Sequence, residues 1–408
     1  MSQILFFIII SLLVADFIFE RFLEFLNSTQ WSDQLPEELK DIYDEQEYQK
    51  QQAYEKVNFR FSMLSSSFSF VLMFLMVIFA GFALVNNWAL SVSVNPILTA
   101  LVFFGILMLA SDLLTTPFSI YDTFVIEEKF GFNKTTPKTF ALDKLKGYLL
   151  GAIIGGGLLA LIIYIYQLTT TNFWIYTWLV ITGFSVFVVL FYSNLIVPLF
   201  NKQTPLPDGE LKTAIEGFSD KVGFKLDNIY VIDGSKRSTK ANAYFTGFSA
   251  KKRIVLYDTL INDMTTNELV AVLAHEIGHY KKHHVIWSLL LGTLQTGIVL
   301  FIFSLFVGSP ELSAALGVET PSFHIGLIAF GILYSPISMI TGLAMNIFSR
   351  KNEYEADAFA AKYFDGKELA SALKKLSIKN LSNLRPHPAY VFFHYSHPTL
   401  LQRLQALK

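Results

Sequence analysis

Seven apolar segments, each close to or above the length that crosses a bilayer, divide this chain. They cover residues 4–19, 62–87, 97–118, 147–167, 173–200, 285–307 and 323–348. A transmembrane helix needs about 20 predominantly apolar residues. Charged residues make up 16% of the chain, whereas an ordinary soluble domain has about 25%. The sequence therefore predicts an integral, multi-pass helical membrane protein with seven spans, whose solvent is partly the lipid bilayer.

The basic residues of the connecting segments follow an alternating pattern. Five Lys or Arg residues follow the first span, five follow the third, and ten follow the last. The connections 88–96, 168–172 and 308–322 have none. Because cytoplasmic loops carry the excess of Lys and Arg, this pattern predicts an N-terminus outside and a C-terminus in the cytoplasm. The net charge is −1, and no nucleic-acid partner is expected.

The polar segments divide the chain into four parts. Residues 1–200 hold spans one to five with their cytoplasmic loops, and residues 285–348 hold spans six and seven. Between them, residues 201–284 form a cytoplasmic α+β insert, and residues 349–408 form a cytoplasmic C-terminal segment. We expect residues 201–284 and residues 349–408 to build the active site together.

The insert has clear local signals. Alternating apolar residues predict strands, and Thr265 with Glu268 predicts a capping box at the start of a helix. Pro205 and Pro207 indicate a linker into the insert. The strands are predicted at 228–233, 241–248 and 253–257, with a turn around 249–252.

The helix after Thr265 carries the sequence His275-Glu276-Ile277-Gly278-His279. Residues four apart lie on one helical face, so both imidazoles can bind one zinc ion. Glu276 would lie beside the open coordination position, where it can take a proton from water and later deliver it. The chain has no cysteine, so thiolate ligands are excluded. The motif predicts one Zn²⁺ per chain, with His275 and His279 as ligands and Glu276 as the general base.

A zinc site of this kind needs a third protein ligand. Glu353 is the best candidate, and Asp357 on the same helical face is the alternative. The carboxylate that does not bind metal can support a ligand imidazole through its second nitrogen. Glu355 is expected to be solvated. A merely exposed acidic helix is the other interpretation of this segment.

Further polar residues flank these motifs. His397 and Arg403 lie in a donor-rich tail, as a tetrahedral oxyanion near zinc would require, although a C-terminal helix with surface charge is an alternative. His283 and His284 are expected at the membrane interface. Asp112 lies within a span, where a charge facing lipid is costly, so it should face a polar interior or pair with a neighbouring helix.

The motifs taken together resemble the type I CAAX prenyl proteases, which are integral-membrane zinc endopeptidases of seven spans. The likeness covers nearly the whole chain. It rests on five motifs in the same order, at residues 117–134, 237–245, 275–279, 353–357 and 395–403. It implies an all-α membrane protein whose seven transmembrane helices enclose an intramembrane chamber, with a small α+β zincin-like catalytic domain.

The resemblance also implies roles for single residues. Glu353 is similar to the third zinc ligand of the family, and Asp357 to an acidic partner assigned as a proton donor. His397 and Arg403 resemble groups that stabilise the intermediate and hold the substrate. Asn242 resembles a backbone anchor beside a sheet edge, where an extended peptide adds as a strand.

The expected function is zinc-dependent cleavage of a peptide or protein substrate, by resemblance the removal of the last three residues of a prenylated C-terminal tetrapeptide. A quality-control protease for membrane proteins is the alternative within enzymes. A zinc-stabilised scaffold or transporter is the alternative outside them, and Glu276 argues against it. The compact chain, ending in 405–408 without a dibasic retrieval signal, favours a bacterial inner-membrane protein over one of the endoplasmic reticulum.

Overall fold

The computed structural model describes residues 1–226, 228–246 and 253–408. Helices dominate the first two hundred residues, and three π-helical turns (Asp122–Glu127, Gly151–Gly156 and Tyr192–Ile196) join some of them. The helices are α1 (Ser2–Ser28), α2 (Glu45–Ile78), α3 (Gly81–Val92), α4 (Pro96–Tyr121), α5 (Pro137–Leu150), α6 (Gly157–Thr169), α7 (Phe173–Phe191) and α8 (Val197–Phe200).

A small sheet and its helices follow. They are β1 (Gln203–Pro205), α9 (Glu210–Lys221), β2 (Asn228–Ile232), β3 (Ala243–Thr246), β4 (Arg253–Tyr257), α10 (Asp258–Ile261) and α11 (Thr266–Lys281). The strand order is β1-β2-β4-β3; β2 and β4 run parallel, whereas the two edge pairs are antiparallel. The predicted strand 253–257 is confirmed. The predicted turn at 249–252 lies outside the described residues, and β1 falls in the segment interpreted as a linker.

The rest of the chain is helical. It comprises α12 (His284–Ser304), α13 (Pro310–Ala315), α14 (Phe323–Leu333), α15 (Ser335–Tyr363), α16 (Gly366–Lys379), α17 (Pro388–His394) and α18 (Leu400–Ala406). The acidic segment that begins at Glu353 is the last part of α15, a helix that starts in the seventh predicted span. One rigid element thus connects the membrane to the candidate site.

Among the described residues, five helical stretches are long and apolar enough to cross a membrane. They are Ser2–Ser28, Glu45–Ile78, Pro96–Glu127, Pro137–Phe200 and His284–Ser304. The pair Phe323–Leu333 and Ser335–Tyr363, bent by 60°, makes a sixth if it counts as one span. The multi-pass helical architecture is confirmed, with five or six such stretches. The predicted span 62–87 is interrupted, because Ala80 adopts a left-handed conformation (φ 50°) between α2 and α3.

Asp112 pairs within the membrane part of the protein. Both of its carboxylate oxygens lie within 2.8 Å of Lys144 Nζ on α5. The hydroxyls of Thr116 and Tyr148 also bind this carboxylate. The pairing with a neighbouring helix agrees with the prediction for an intramembrane charge.

Helix α11 lies at the centre of the unit formed by the sheet and the helices α9, α15 and α16. Its predicted capping box is present, with the Thr265 side chain accepting from Glu268 N and the Glu268 side chain accepting from Thr265 N. Apolar residues along the helix, including Leu269, Leu273 and Ile277, are buried against α9, α15, α16 and the sheet. Packing on all sides fixes the direction of the polar residues that α11 carries.

Candidate metal centre

The candidate site forms where α11 crosses α15. Gly278 makes the close approach possible, because a Cβ atom there would lie 3.1 Å from both Cα and O of Ala356. A side chain at this position would push the two helices apart. The crossing therefore brings the histidines of α11 beside the carboxylates of α15.

Three side chains converge at this crossing. Nε2 of His275 and Nε2 of His279 are 3.1 Å apart, and they lie 3.4 Å and 3.2 Å from the two oxygens of Glu353. One ligand atom from each residue lies within 4.8 Å of the others. Two imidazoles and one carboxylate form the set of donors that catalytic zinc sites use.

The polar atoms at the centre of this group also fit a bound cation. Oε2 of Glu353 is buried and makes no hydrogen bond of good geometry among the described residues, although Nε2 of His275 lies 3.4 Å and a terminal nitrogen of Arg403 3.6 Å from it. A buried carboxylate oxygen that lacks a close hydrogen bond is costly, and a metal ion would satisfy it. Without a metal, hydrogen bonds to the histidines outweigh the opposing effect of burial and hold the pKa of Glu353 well below its usual range. Glu353 is therefore a carboxylate that can bind metal.

Asp357 lies on the far side of His275. Its Oδ1 is 2.8 Å from Nδ1 of His275, which leaves Nε2 directed at Glu353 and His279. Burial lowers the pKa of His275, but its hydrogen bonds to Asp357 and Glu353 outweigh this effect and raise the pKa to about 9. The geometry favours Asp357 as the partner of a ligand imidazole, with Glu353 as the third ligand.

The second histidine of the motif has a different partner. Nδ1 of His279 lies 2.9 Å from Nδ1 of His284, and Nε2 of His284 lies 3.2 Å from Oε2 of Glu355. His284 is buried, whereas His283 is exposed. The position predicted for His283 and His284 at the membrane interface stays a prediction, whereas Glu355 is paired with His284 rather than simply solvated. The spacing of His279 and His284 along the chain does not predict their contact, because this contact depends on the sharp junction between α11 and α12.

Glu276 lies beside the same histidines and is partly buried. Burial raises the pKa of its carboxyl group, while the nearby imidazoles of His275 and His279 lower it. A carboxyl group with a raised pKa, close to a metal site, is suited to accept and return a proton near neutral pH.

The tail residues reach the site as well. Nε2 of His397 lies 3.3 Å from Oε1 of Glu353, and the His397 side chain is 62% exposed, so it remains accessible to a substrate. Arg403 is almost buried; its Nε and one terminal nitrogen lie 2.8 Å and 2.6 Å from the two oxygens of Asp357. The guanidinium is thus engaged with Asp357 in this state of the protein.

Asn242 is farther from the histidines and contacts the sheet. Its side-chain oxygen accepts from Ala243 N, and its carbonyl accepts from Tyr257 N. It directly precedes β3, which is an edge strand among the described strands. The preceding residue, Ala241, is fixed by Asn380, whose side-chain oxygen accepts from Ala241 N at 3.1 Å.

A cavity of about 700 Å³ adjoins these residues. Its lining includes His397 and Arg403 on one side, with Glu55, Asn380 and Tyr395 among the others. The cavity is large enough for several amino-acid side chains and is bordered by polar groups. It provides space for a peptide next to the candidate metal centre.

Comparisons with known proteins identify the family of this chain. Residues 25–202 match the profile described as "CAAX prenyl protease N-terminal, five membrane helices", and residues 205–408 match that of "Peptidase family M48". A helical membrane protein with this pair of matches is a membrane metallopeptidase. The chain belongs to peptidase family M48 and, within it, to the CAAX prenyl protease 1 family.

Its relatives match over nearly their full length. CAAX prenyl protease 1 of Saccharomyces cerevisiae is 36% identical over 97% of this chain and 93% of the yeast protein. The Arabidopsis thaliana homolog is 37% identical over 98% and 96%, and the human homolog 35% over 92% and 88%. The crystal structure of S. mikatae Ste24p superposes with a TM-score of 0.93 at 37% identity, covering 99% of both chains. These relatives are eukaryotic.

Proposed function

We propose that this protein is a zinc endopeptidase that cleaves the C-terminal region of prenylated, membrane-bound polypeptides. The observation that carries the proposal is the convergence of the ligand atoms of His275, His279 and Glu353, together with a buried oxygen of Glu353 that makes no hydrogen bond among the described residues. One zinc ion per chain would be held by these three residues. The names of the relatives support prenylated CAAX proteins as the substrate class.

The chain's own residues supply the acid–base steps. When bound, zinc would polarise the scissile carbonyl and lower the pKa of a water molecule. The Glu276 carboxylate takes the proton of the attacking water and passes it to the departing amine. Asp357 holds His275 in the tautomer whose Nε2 faces the site. His397, exposed next to Glu353, donates a hydrogen bond to the developing oxyanion.

Substrate binding is assigned to two neighbouring features. Among the described strands β3 is an edge strand, and an extended peptide can add as a further strand at its edge beside Asn242. The cavity bordered by His397 and Arg403 accommodates side chains of the same peptide. Arg403 would bind substrate only if its present contacts with Asp357 rearrange or leave a guanidinium N–H free.

The membrane part is proposed to contain seven spans around a chamber. The stretch Pro137–Phe200 has 64 residues. At 1.5 Å per residue it would measure about 96 Å, three times the hydrocarbon thickness of about 30 Å. It is interrupted at Thr170 (φ 43°), and α6 contacts α7 on the other side of this break. If Pro137–Phe200 crosses the membrane twice, once on each side of Thr170, these two crossings, the four other apolar stretches and the bent pair make seven spans.

The two faces of α2 support an aqueous interior. Ser62, Ser65, Ser66 and Ser69 recur at helical spacing on one face, and Ser62 Oγ donates to Glu24 of α1. The opposite face holds large exposed apolar side chains, at Leu64, Val71, Leu75 and Ile78. Apolar groups favour lipid, whereas serines favour water or protein. The serine face is therefore assigned to a chamber wall.

The distribution of Lys and Arg supports an external N-terminus and a cytoplasmic C-terminus, with residues 201–284 and 349–408 in the cytoplasm. The membrane is predicted to be the bacterial inner membrane, or the endoplasmic reticulum in a eukaryotic cell.

A direct test uses protein purified in detergent with a fluorogenic farnesylated tetrapeptide. We expect zinc-dependent release of the C-terminal tripeptide, with Glu276→Gln as the matched inactive control. An unprenylated peptide of the same sequence measures the contribution of the lipid. Product mapping on whole membranes, with and without active protein, distinguishes this activity from general quality control. Unprocessed farnesylated peptide in the presence of zinc-loaded wild-type protein would overturn the proposal.

A further inference from the structure

His284 is a buried polar residue of this region to which neither the metal motif nor the acid–base steps give a role. It is the first residue of α12 and is only 4% exposed. The preceding residue, His283, adopts a left-handed conformation (φ 60°), which allows α12 to begin with only two residues between it and the end of α11. This sharp junction turns the His284 ring back towards α11.

Two contacts connect this ring to the metal centre and to α15. Its Nδ1 lies 2.9 Å from Nδ1 of His279, and its Nε2 lies 3.2 Å from Oε2 of Glu355. Both distances suit hydrogen bonds. The His279 and His284 rings are 5.0 Å apart and almost perpendicular, at 73°. The angle excludes parallel stacking, and the nitrogen–nitrogen distance is that of a hydrogen bond.

The protons of this chain of groups can be assigned from valence. If Nε2 of His279 binds a metal, the proton of that neutral ring resides on Nδ1 and is donated to Nδ1 of His284. His284 must then carry its own proton on Nε2, and it donates this proton to the Glu355 carboxylate. Each ring nitrogen of His279 and His284 has a partner in this arrangement, and His279 is held in one tautomer.

We propose that His284, anchored by Glu355, is a positioning residue that orients His279 for zinc and sets the zinc affinity. It does for His279 what Asp357 does for His275, but through a neutral imidazole instead of a carboxylate. The two ligand histidines thus differ in their supports: one contacts a buried carboxylate that is tied to Arg403, and the other contacts a ring whose carboxylate anchor is 38% exposed. This inference rests on the zinc role proposed above.

The test measures zinc affinity of the full-length protein by competition with a chromophoric chelator, together with the melting temperature of the metal-free form. Loss of a group that orients a ligand typically weakens metal binding about 10–100-fold. We expect that loss for His284→Ala, with the metal-free melting temperature unchanged. His284→Asn should recover part of the affinity, because the Asn side-chain oxygen can accept from His279 Nδ1.

A matched control and a double variant separate orientation from packing. His283→Asn removes the neighbouring imidazole while keeping a residue that tolerates the left-handed conformation, and it should bind zinc as the wild type does. Glu355→Ala should weaken zinc binding by a smaller factor. The double variant of His284→Ala with Glu355→Ala should match His284→Ala alone, because both act through one chain of hydrogen bonds.

The outcomes are distinguishable. Unchanged zinc affinity in His284→Ala, or a loss that His284→Asn does not relieve, would overturn the positioning role. Additive losses in the double variant would overturn the chain through Glu355. If His284→Ala does not fold, unchanged zinc affinity in both Glu355→Ala and His284→Asn would overturn the inference. A wild-type protein that binds no zinc would instead refute the proposed function itself.

Discussion

Nδ1 of His275 lies 2.8 Å from Oδ1 of Asp357, and the same carboxylate accepts two further hydrogen bonds from Arg403. The Asp357 side chain is 2% exposed. A buried carboxylate thus joins a metal-site imidazole to a nearly buried cation. Its substitution should therefore affect both metal binding and stability.

Asp357→Ala should lower zinc affinity about 10–100-fold, because His275 loses the group that orients it. It should also destabilise the catalytic unit by about 3–5 kcal/mol, since the Arg403 charge loses its partner in a buried position. Chelator competition and thermal unfolding of the metal-free protein measure the two effects. Asp220→Ala, at an exposed position, is the control and should change neither.

Glu276→Gln should retain zinc and lose activity. The amide is nearly isosteric and is not one of the three converging side chains, yet it cannot accept the proton of water. General acid–base catalysis typically raises the reaction rate about 10²–10⁴-fold, so the turnover number should fall by about that factor. Zinc analysis and peptide cleavage on one preparation provide the test. Wild-type turnover in the zinc-loaded variant would refute the role of Glu276.

His397 and Arg403 should differ in what their removal changes. His397 is largely exposed, so His397→Ala should leave zinc content and melting temperature intact while lowering kcat about 10²–10³-fold. Arg403 is engaged with Asp357, so Arg403→Ala should lower the melting temperature and weaken zinc binding as well. Steady-state kinetics, zinc analysis and thermal unfolding of both variants distinguish a loss of catalysis from a loss of stability or metal. If the lower kcat of His397→Ala were explained by a proportional loss of bound zinc, His397 would have no direct role in catalysis.

Glu268 makes the start of α11 sensitive to acid. Burial would raise the pKa of this carboxyl, but hydrogen bonds from Lys375, Ser371 and Thr265 N outweigh burial and lower it below the ordinary value of 4.5. A lowered pKa in the folded state means that its stabilisation is present above pH 4.5 and disappears as the pH falls through the folded-state pKa.

Glu268→Gln keeps the capping box but removes the charge, so it should destabilise the protein by about 1–3 kcal/mol at neutral pH. Melting temperatures measured from pH 7 down through the range well below pH 4.5 should show the difference between variant and wild type narrowing as the pH falls through the lowered pKa. Glu216→Gln, at an exposed position on α9, serves as the control. A constant difference across this range would exclude a charge effect.

The seven-span arrangement predicts the side of the membrane on which reporter fusions appear. Each loop between two crossings must change side, so a single inverted reporter would break the arrangement. The critical fusion is at Thr170, because it tests whether Pro137–Phe200 crosses twice. Fusions near Trp88, Thr170 and Glu311 should report outside, and fusions near Lys50, Lys138, Lys212 and Lys408 should report the cytoplasm.

Local patterns were sufficient for part of this protein. The length of the apolar segments identified a multi-pass membrane protein, since crossing a bilayer demands a run of apolar residues. The capping box at Thr265 and the strand 253–257 could also be predicted from the sequence, because interactions between neighbouring residues determine them. The spacing of His275 and His279 predicted one shared helical face, and the helix is present.

Only the tertiary structure decided how distant segments meet. The crossing at Gly278 sets Glu353 and Asp357 on opposite sides of the His275 ring, and no spacing along the chain specifies that crossing. The contact between His284 and His279 was not predicted, since it requires the left-handed turn at His283. The break at Ala80 was missed because apolar residues continue through it. Apolar sequence is what the bilayer requires, but interhelical packing determines where each helix ends and which side chains it brings to the site.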